Sequence, residues 1–292
     1  MPATLDKKSP CKVNLLLNIL RKRPDGFHEL ETVMQPVALH DELKFTRSGR
    51  SVELTCNEPG LPTDSGNLVH RAAEKFLQAA NIREGVRIHL EKRIPMAAGL
   101  GGGSGNAAVT LLGLNEIFGQ PLPPQELHRI AASLGSDIPF FLQSQPALAT
   151  GRGEAITPLR SFPALAGTSA MLIHPGFGIS TPWAYRELAR FPTARNGTPG
   201  RAAKLIALLE KTDTRAAGQM FYNSLEAPAL EKYPLLQLYQ DFLKENGAWA
   251  ALMSGSGSTT FAVVEAGSAH ALEARVQEKF GPCWTAVVPW LA

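Results

Sequence analysis

Cysteine is scarce in this 292-residue chain, and the three that occur, Cys11, Cys56 and Cys283, lie far apart. No CxxC pair and no Cys/His cluster is present, so the spacings that hold structural zinc are excluded. An odd, scattered set of thiols gives no disulfide framework and points to a reducing, cytoplasmic setting. Long apolar runs are also missing. The first one, Val13 to Leu20, is interrupted by Asn14 and Asn18 and is too short to cross a bilayer. No small-residue cleavage site follows it, which argues against a signal peptide. Dense Lys/Arg runs are absent and the net charge is only +3, so nothing points to a nucleic-acid partner. Charge-dominated stretches are lacking too. Charged residues make up 19% and hydrophobic residues 44%, a balance that excludes a disordered chain.

What is present fits a soluble, two-domain protein. The length exceeds what one ordinary core needs. Strand and helix patterns are mixed in both halves, so the class is α+β or α/β. A Pro/Gly-bearing stretch, Thr157 to Thr168, is the candidate boundary, dividing the chain into residues 1–160 and 161–292. In the first strand Val13, Leu15, Leu17 and Ile19 alternate with Lys12, Asn14, Leu16 and Asn18. One face can enter a core while the other stays polar and available to a site. Arg23-Pro24-Asp25-Gly26 is turn chemistry. Strands are expected over 31–39, 42–46, 51–56 and 86–92, and helices over 67–80, 104–118 and 124–134. Farther on, strands are expected over 170–173, 250–252, 259–264 and 283–288. Helices are expected over 182–190, 202–210, 234–245 and 268–280. The segment 191–200, rich in Pro and Gly, reads as an exposed, mobile loop.

The most informative stretch runs Pro95-Met96-Ala97-Ala98-Gly99-Leu100-Gly101-Gly102-Gly103-Ser104-Gly105. It stands between a strand and a helix. Glycine lets the backbone approach a phosphate closely. The following helix start offers unpaired N–H groups and a positive dipole end. Ser104 could cap that helix or contact a phosphate or Mg²⁺. Neither GxxxxGK[ST] nor GxGxxG is satisfied, which excludes the Walker loop and the dinucleotide fingerprint.

The stretch Pro95–Ala108 resembles the signature of the GHMP kinases, a superfamily of small-molecule kinases. Six motifs sharpen the likeness to the 4-diphosphocytidyl-2-C-methyl-D-erythritol kinase family. They are residues 9–15, 23–30, 92–104, Leu134-Gly135-Ser136-Asp137-Ile138-Pro139-Phe140-Phe141, Gly151-Arg152-Gly153-Glu154 and Gly255-Ser256-Gly257. They occur in the family's order. The chain departs from it at Gly105, where a serine is usual, at Phe27, often tyrosine, and at Cys11, often alanine.

The resemblance implies an α+β, two-domain GHMP kinase fold. Its N-terminal domain would be ribosomal S5 domain 2-like and its C-terminal domain ferredoxin-like. It implies ATP-dependent phosphorylation of the substrate's 2-hydroxyl, a step in non-mevalonate isoprenoid precursor synthesis, with ATP and Mg²⁺ as cofactors. The substrate would be a small molecule with a cytidine diphosphate moiety, and neither nucleic acid nor membrane would be a partner. Asp137 would act as base, with Lys12 as the cation beside it. Pro95 to Gly105, Asn67 and Lys92 would bind ATP. Asn14 would contact the erythritol end, and Phe27, His28 and Tyr185 would contact the cytosine. Asn67 could equally be a helix cap. A homoserine or mevalonate-type kinase of the same superfamily would need no nucleobase site. An inactive nucleotide-binding regulator would not need both Lys12 and Asp137.

Overall fold

The computed structural model describes residues 4–291. They form two compact units whose segments alternate along the chain. The first takes the chain up to Cys11, Leu39–Ile94 and Gly101–Gln143. The second takes Lys12–Ala38, Pro95–Leu100 and Ser144 onward. The α+β class expected from the mixed patterns is found. The expected changeover at 157–168 lies inside the second unit.

Strands β1 (Thr4–Lys22) and β2 (His28–Arg47) are long, and each contributes residues to both units. In the first unit β3 (Val52–Cys56) and β4 (Val86–Glu91) run parallel, joined through the Leu68–Ala79 helix. Parallel neighbours need such a crossover. Strand β4 pairs antiparallel with the last part of β2, Glu42 opposite Glu91. Val86, Ile88 and Leu90 alternate inward while Arg87 and His89 point out. Helices Gly102–Ile117 and Pro124–Leu134 complete this unit. Gly113 is required at its place because a Cβ there would meet the Phe45 ring at 2.7 Å.

In the second unit, β5 (Ala147–Gly151) pairs with β2 and with β6 (Ala155–Pro158). Four further strands are β7 (Thr168–His174), β8 (Tyr222–Asn223), β9 (Ala250–Met253) and β10 (Thr260–Glu265). The last is β11 (Trp284–Val288). Strands β7, β9, β10 and β11 form an antiparallel sheet in the order β11-β7-β10-β9. Helices Pro234–Glu245 and Ala269–Phe280 supply Leu236, Leu243, Leu272 and Val276 to its core. Renumbered within this sheet the order is 4-1-3-2, the ferredoxin-like arrangement expected for the C-terminal half. The short strand β8 sits parallel to β1, Leu17 opposite Asn223.

Four local expectations are corrected. The two strands expected over 31–39 and 42–46 are one strand, β2, with Asp41, in the expected gap, buried and paired within it. The face of β1 read as polar and available to a site is buried, since Lys12, Asn14, Leu16 and Asn18 are as buried as the apolar face. The glycine helix starts at Gly102 rather than Ser104. The segment 191–200 is tied down rather than mobile. Gly197 N–H donates to the Ile19 carbonyl (2.8 Å), Asn18 Nδ2 to the Thr198 carbonyl (2.9 Å) and Gly200 N–H to Glu31 (3.1 Å). Its Pro and Gly content describes the turns it makes and is silent about these anchors. Strands β5, β6 and β8 and the short helices Thr214–Gly218 and Glu226–Lys232 were not expected.

Candidate functional site

The glycine-rich loop turns through three positive φ angles, Ala97 at 51°, Gly99 at 76° and Gly101 at 70°. Gly101 is the N-cap of the helix it opens, and no side chain caps that helix. The first N–H groups of a 16-residue helix are thus left to an external acceptor. A Cβ on Gly103 would have only Leu68 Cδ1 nearby, at 3.8 Å, so the backbone there faces open space. Gly99 has no such freedom, as a Cβ on it would overlap the Ser254 carbonyl oxygen. Gly105, the departure from the family pattern, is turned away from this opening. A Cβ there would meet the Pro10 carbonyl and Ser9 Oγ, both at 2.9 Å. The small residue fits the packing of β1 against the helix. These features suit a polyphosphate such as that of ATP, held by backbone rather than by side chains.

Lys12 is a buried cation, 2% exposed. Its Nζ donates to Asn14 Oδ1 and to the Gly99 carbonyl, both at 2.7 Å. Its backbone N–H donates to the Leu100 carbonyl at 3.0 Å. Asn14 in turn donates to Thr32 Oγ1 at 2.8 Å. Strand β1 therefore carries Lys12 and Asn14 directly onto the loop. Ser254 Oγ also donates to the Gly99 carbonyl, at 3.0 Å, and Thr259 N–H donates to the Ala98 carbonyl at 3.1 Å. The residues that flank Gly255-Ser256-Gly257 thus lie against the loop.

The aromatic residues gather in the same unit. The His28 and Tyr185 rings lie 5.1 Å apart, tilted by 37°. His28 is placed by the turn Arg23–Phe27, closed by Arg23 N–H donating to the Phe27 carbonyl at 2.8 Å. Burial, followed by the charges of Lys22 and Arg195, holds the His28 imidazole below its ordinary pKa. The neutral ring offers one donor and one acceptor. Phe27 is 50% exposed, with the Arg152 guanidinium 4.5 Å over its face.

Asn67 caps the Leu68–Ala79 helix, accepting from Val69 N–H, and its Nδ2 donates to the Pro62 carbonyl. Lys92 Nζ is paired with buried Asp41 and donates to Asn106 Oδ1 at 3.2 Å. Asp41 also accepts from the backbone N–H groups of Arg93 (2.7 Å) and Ile94 (2.9 Å) and from Asn106 Nδ2 (2.9 Å). It thereby fixes the chain entering the loop. Asp137 belongs to the first unit, half-buried in the turn between the Gly135 helix end and the Pro139–Leu142 3₁₀ turn. Sequence reasoning missed Asp41, Asn106, Ser254 and Asn223. Only the Asn223-x-x-Glu226 spacing, which imitates a helix-capping pattern, left a trace in the sequence.

The profile for the GHMP kinases N terminal domain matches residues 67–145, and that for GHMP kinases C terminal matches residues 205–282. The 4-diphosphocytidyl-2-C-methyl-D-erythritol kinase of Acaryochloris marina is 41% identical over 272 residues, covering 89% of this chain and 87% of the relative. A crystal structure of 4-(cytidine 5'-diphospho)-2C-methyl-D-erythritol kinase is 34% identical, with a TM-score of 0.77. It covers 98% of this chain and 99% of its own. A homoserine kinase from Cytophaga hutchinsonii reaches the same TM-score of 0.77 at 19% identity, covering 100% of this chain and 96% of its own, and is similar in fold alone. On the sequence identity and the coverage of both domains, the chain belongs to the GHMP kinases, within the 4-diphosphocytidyl-2-C-methyl-D-erythritol kinase family.

Proposed function

We propose that the chain transfers the γ-phosphoryl group of ATP to the 2-hydroxyl of 4-diphosphocytidyl-2-C-methyl-D-erythritol. The observation that carries the substrate is the His28–Tyr185 ring pair, with His28 neutral beside it. A pyrimidine needs a stacking face and edge hydrogen bonds, and a homoserine or mevalonate needs neither. Phosphoryl transfer itself asks for positioning, charge neutralisation and an activated hydroxyl. The backbone N–H groups of the Pro95–Gly105 loop receive the phosphates. Lys12 holds positive charge at the Gly99 end of that loop, where charge builds on the transferring group. Asp137 accepts the proton of the acceptor hydroxyl, and Asn14 contacts the erythritol end. These two roles rest on family position. Mg²⁺ would travel on the ATP phosphates, which supply hard oxygen ligands. The described residues hold no cluster of three or more His, Cys, Asp or Glu side chains that could bind an ion by themselves. Lys92 and Asn67 keep their proposed place on the nucleotide side, each already engaged in the packing described above.

The test is ADP release against a panel of the cytidyl-methylerythritol substrate, homoserine, mevalonate and galactose. Turnover of the first alone is expected. Turnover of only one of the other three overturns the substrate, and ATP binding without any ADP release overturns the enzyme reading.

A further inference from the structure

We infer that Asn223 is a positioning residue for the nucleotide side of the reaction, holding the turn that supports Gly99 and, through it, Lys12. The inference rests on the kinase reading above. Asn223 is 2% exposed, and both of its amide protons and its amide oxygen are engaged. Nδ2 donates to the Met253 carbonyl at 2.8 Å and to the Gly255 carbonyl at 2.7 Å, and Oδ1 accepts from Leu225 N–H at 2.9 Å. One side chain thus clamps both ends of Met253-Ser254-Gly255. Met253 is held from its other side as well, its N–H donating to Glu226 at 2.8 Å.

The clamped residues are those that touch the phosphate loop. Ser254 Oγ donates to the Gly99 carbonyl, and a Cβ added at Gly255 would meet that same carbonyl at 2.9 Å and Lys12 Nζ at 3.3 Å. The Gly99 carbonyl is also an acceptor of Lys12 Nζ. The path closes on itself. Asn223 lies on β8, opposite Leu17 of β1, and the adjacent Ser224 N–H donates to the Leu17 carbonyl at 2.8 Å. Strand β1 carries Lys12. The ring therefore runs from Lys12 to Gly99, to the Ser254–Gly255 turn, to Asn223 and back to β1. A closed ring of short contacts fixes a cation against a backbone carbonyl more tightly than either contact alone. Small misplacements of such groups weaken catalysis sharply.

Removing the amide leaves two buried carbonyls without their donor, so the turn must shift to find others. The effect belongs on ATP, because the ring closes on the Gly99 carbonyl of the phosphate loop. Full-length wild type, Asn223→Ala and Asn223→Asp are compared by ADP release with each substrate varied in turn, by calorimetric ATP titration and by thermal melting. Both variants should lose roughly ten- to hundredfold in kcat/KM for ATP, while KM for the cytidyl substrate moves less than about twofold. Asn223→Asp should recover activity as pH falls from about 8 to 6, a limb absent from wild type and Asn223→Ala. Only the protonated carboxyl can donate to one of the two carbonyls.

A lower melting temperature with kcat/KM for ATP within about twofold of wild type overturns the inference, as does an equal rise of both KM values. Should Asn223→Ala fail to fold, Ser254→Ala removes only the contact between the turn and Gly99. It must still weaken ATP selectively, and an unchanged KM for ATP overturns the inference. A wild type that binds ATP but ignores the cytidyl substrate overturns the proposed function instead, and the comparison then reads on ATP affinity.

Discussion

Replacing Glu226 by glutamine should make the protein more stable at pH 8 and leave it nearly unchanged at pH 5. Glu226 opens the Glu226–Lys232 helix and is half-buried, and the loss of solvent there pushes its carboxyl up to about 7 from the usual 4.5. Hydrogen bonds from Met253 N–H and Gln240 Nε2 and the charge of Lys244 oppose this but do not cancel it. The raised pKa means the folded state prefers the neutral acid. Below the unfolded pKa both states are protonated and there is no penalty. As pH rises toward 7 the unfolded chain ionises first, and stability falls until the folded group ionises too. At about 1.4 kcal/mol per unit, a shift of roughly 2.5 units removes about 3 kcal/mol by pH 8. Glutamine escapes this loss without losing bonds. Both donors point at Oε1, Met253 N–H at 2.8 Å and Gln240 Nε2 at 2.6 Å, and an amide oxygen accepts both. Thermal melts of wild type and Glu226→Gln at pH 5 and pH 8 give the answer. A difference of about 1 °C at pH 5 should grow to about 6 °C at pH 8, taking roughly 2 °C per kcal/mol for a chain of this size. The same difference at both pH values, or a loss of stability at pH 8, would refute the assigned cause.

The remaining predictions concern the site. Asp137→Asn should lower kcat by orders of magnitude while ATP titration still shows binding, and a near-normal kcat in the purified variant removes the base assignment. Tyr185→Ala should raise KM for the cytidyl substrate more than KM for ATP, and equal rises would count against nucleobase stacking on His28 and Tyr185. Gly105→Ser, which restores the usual family residue, should destabilise by roughly 1–3 kcal/mol in denaturant because its Cβ meets Ser9 Oγ and the Pro10 carbonyl. Adding Ser9→Ala should return part of that loss, and strict additivity of the two changes would show that the contact is not felt.

Local signals were read well wherever the physics is local. The Pro24-Asp25-Gly26 turn and the Pro124–Leu134 helix occur as expected, and Asn67 takes the helix cap that stood as the alternative to its nucleotide role. Each is decided by dihedral preference or by a hydrogen bond a few residues long. Lys12 and Asn14 were picked out by strand alternation as a polar face available to a site, but that alternation does not show what buries the face. What covers it comes from far along the chain, Gly99 for Lys12 and Thr198 for Asn18. Likewise Asp41 fell in the gap between two expected strands, because nothing near it in sequence shows that Lys92, Arg93, Ile94 and Asn106 will satisfy its carboxylate.

By itself the sequence determined the punctuation and the backbone freedom. It set where helices start and stop, where φ must be positive, and that a glycine-rich loop would precede a helix with free N–H groups. Those properties belong to single residues and their immediate neighbours. Only the tertiary structure decided which of those residues bear on one another. It placed Ser254 and Asn223 behind Gly99, turned Gly105 toward Ser9 and Pro10 rather than toward the loop's opening, and set Glu226 among its donors. Contacts between residues far apart in sequence depend on which strands become neighbours, and burial, which shifts the pKa of Glu226 and His28, exists only once the strands and helices have packed.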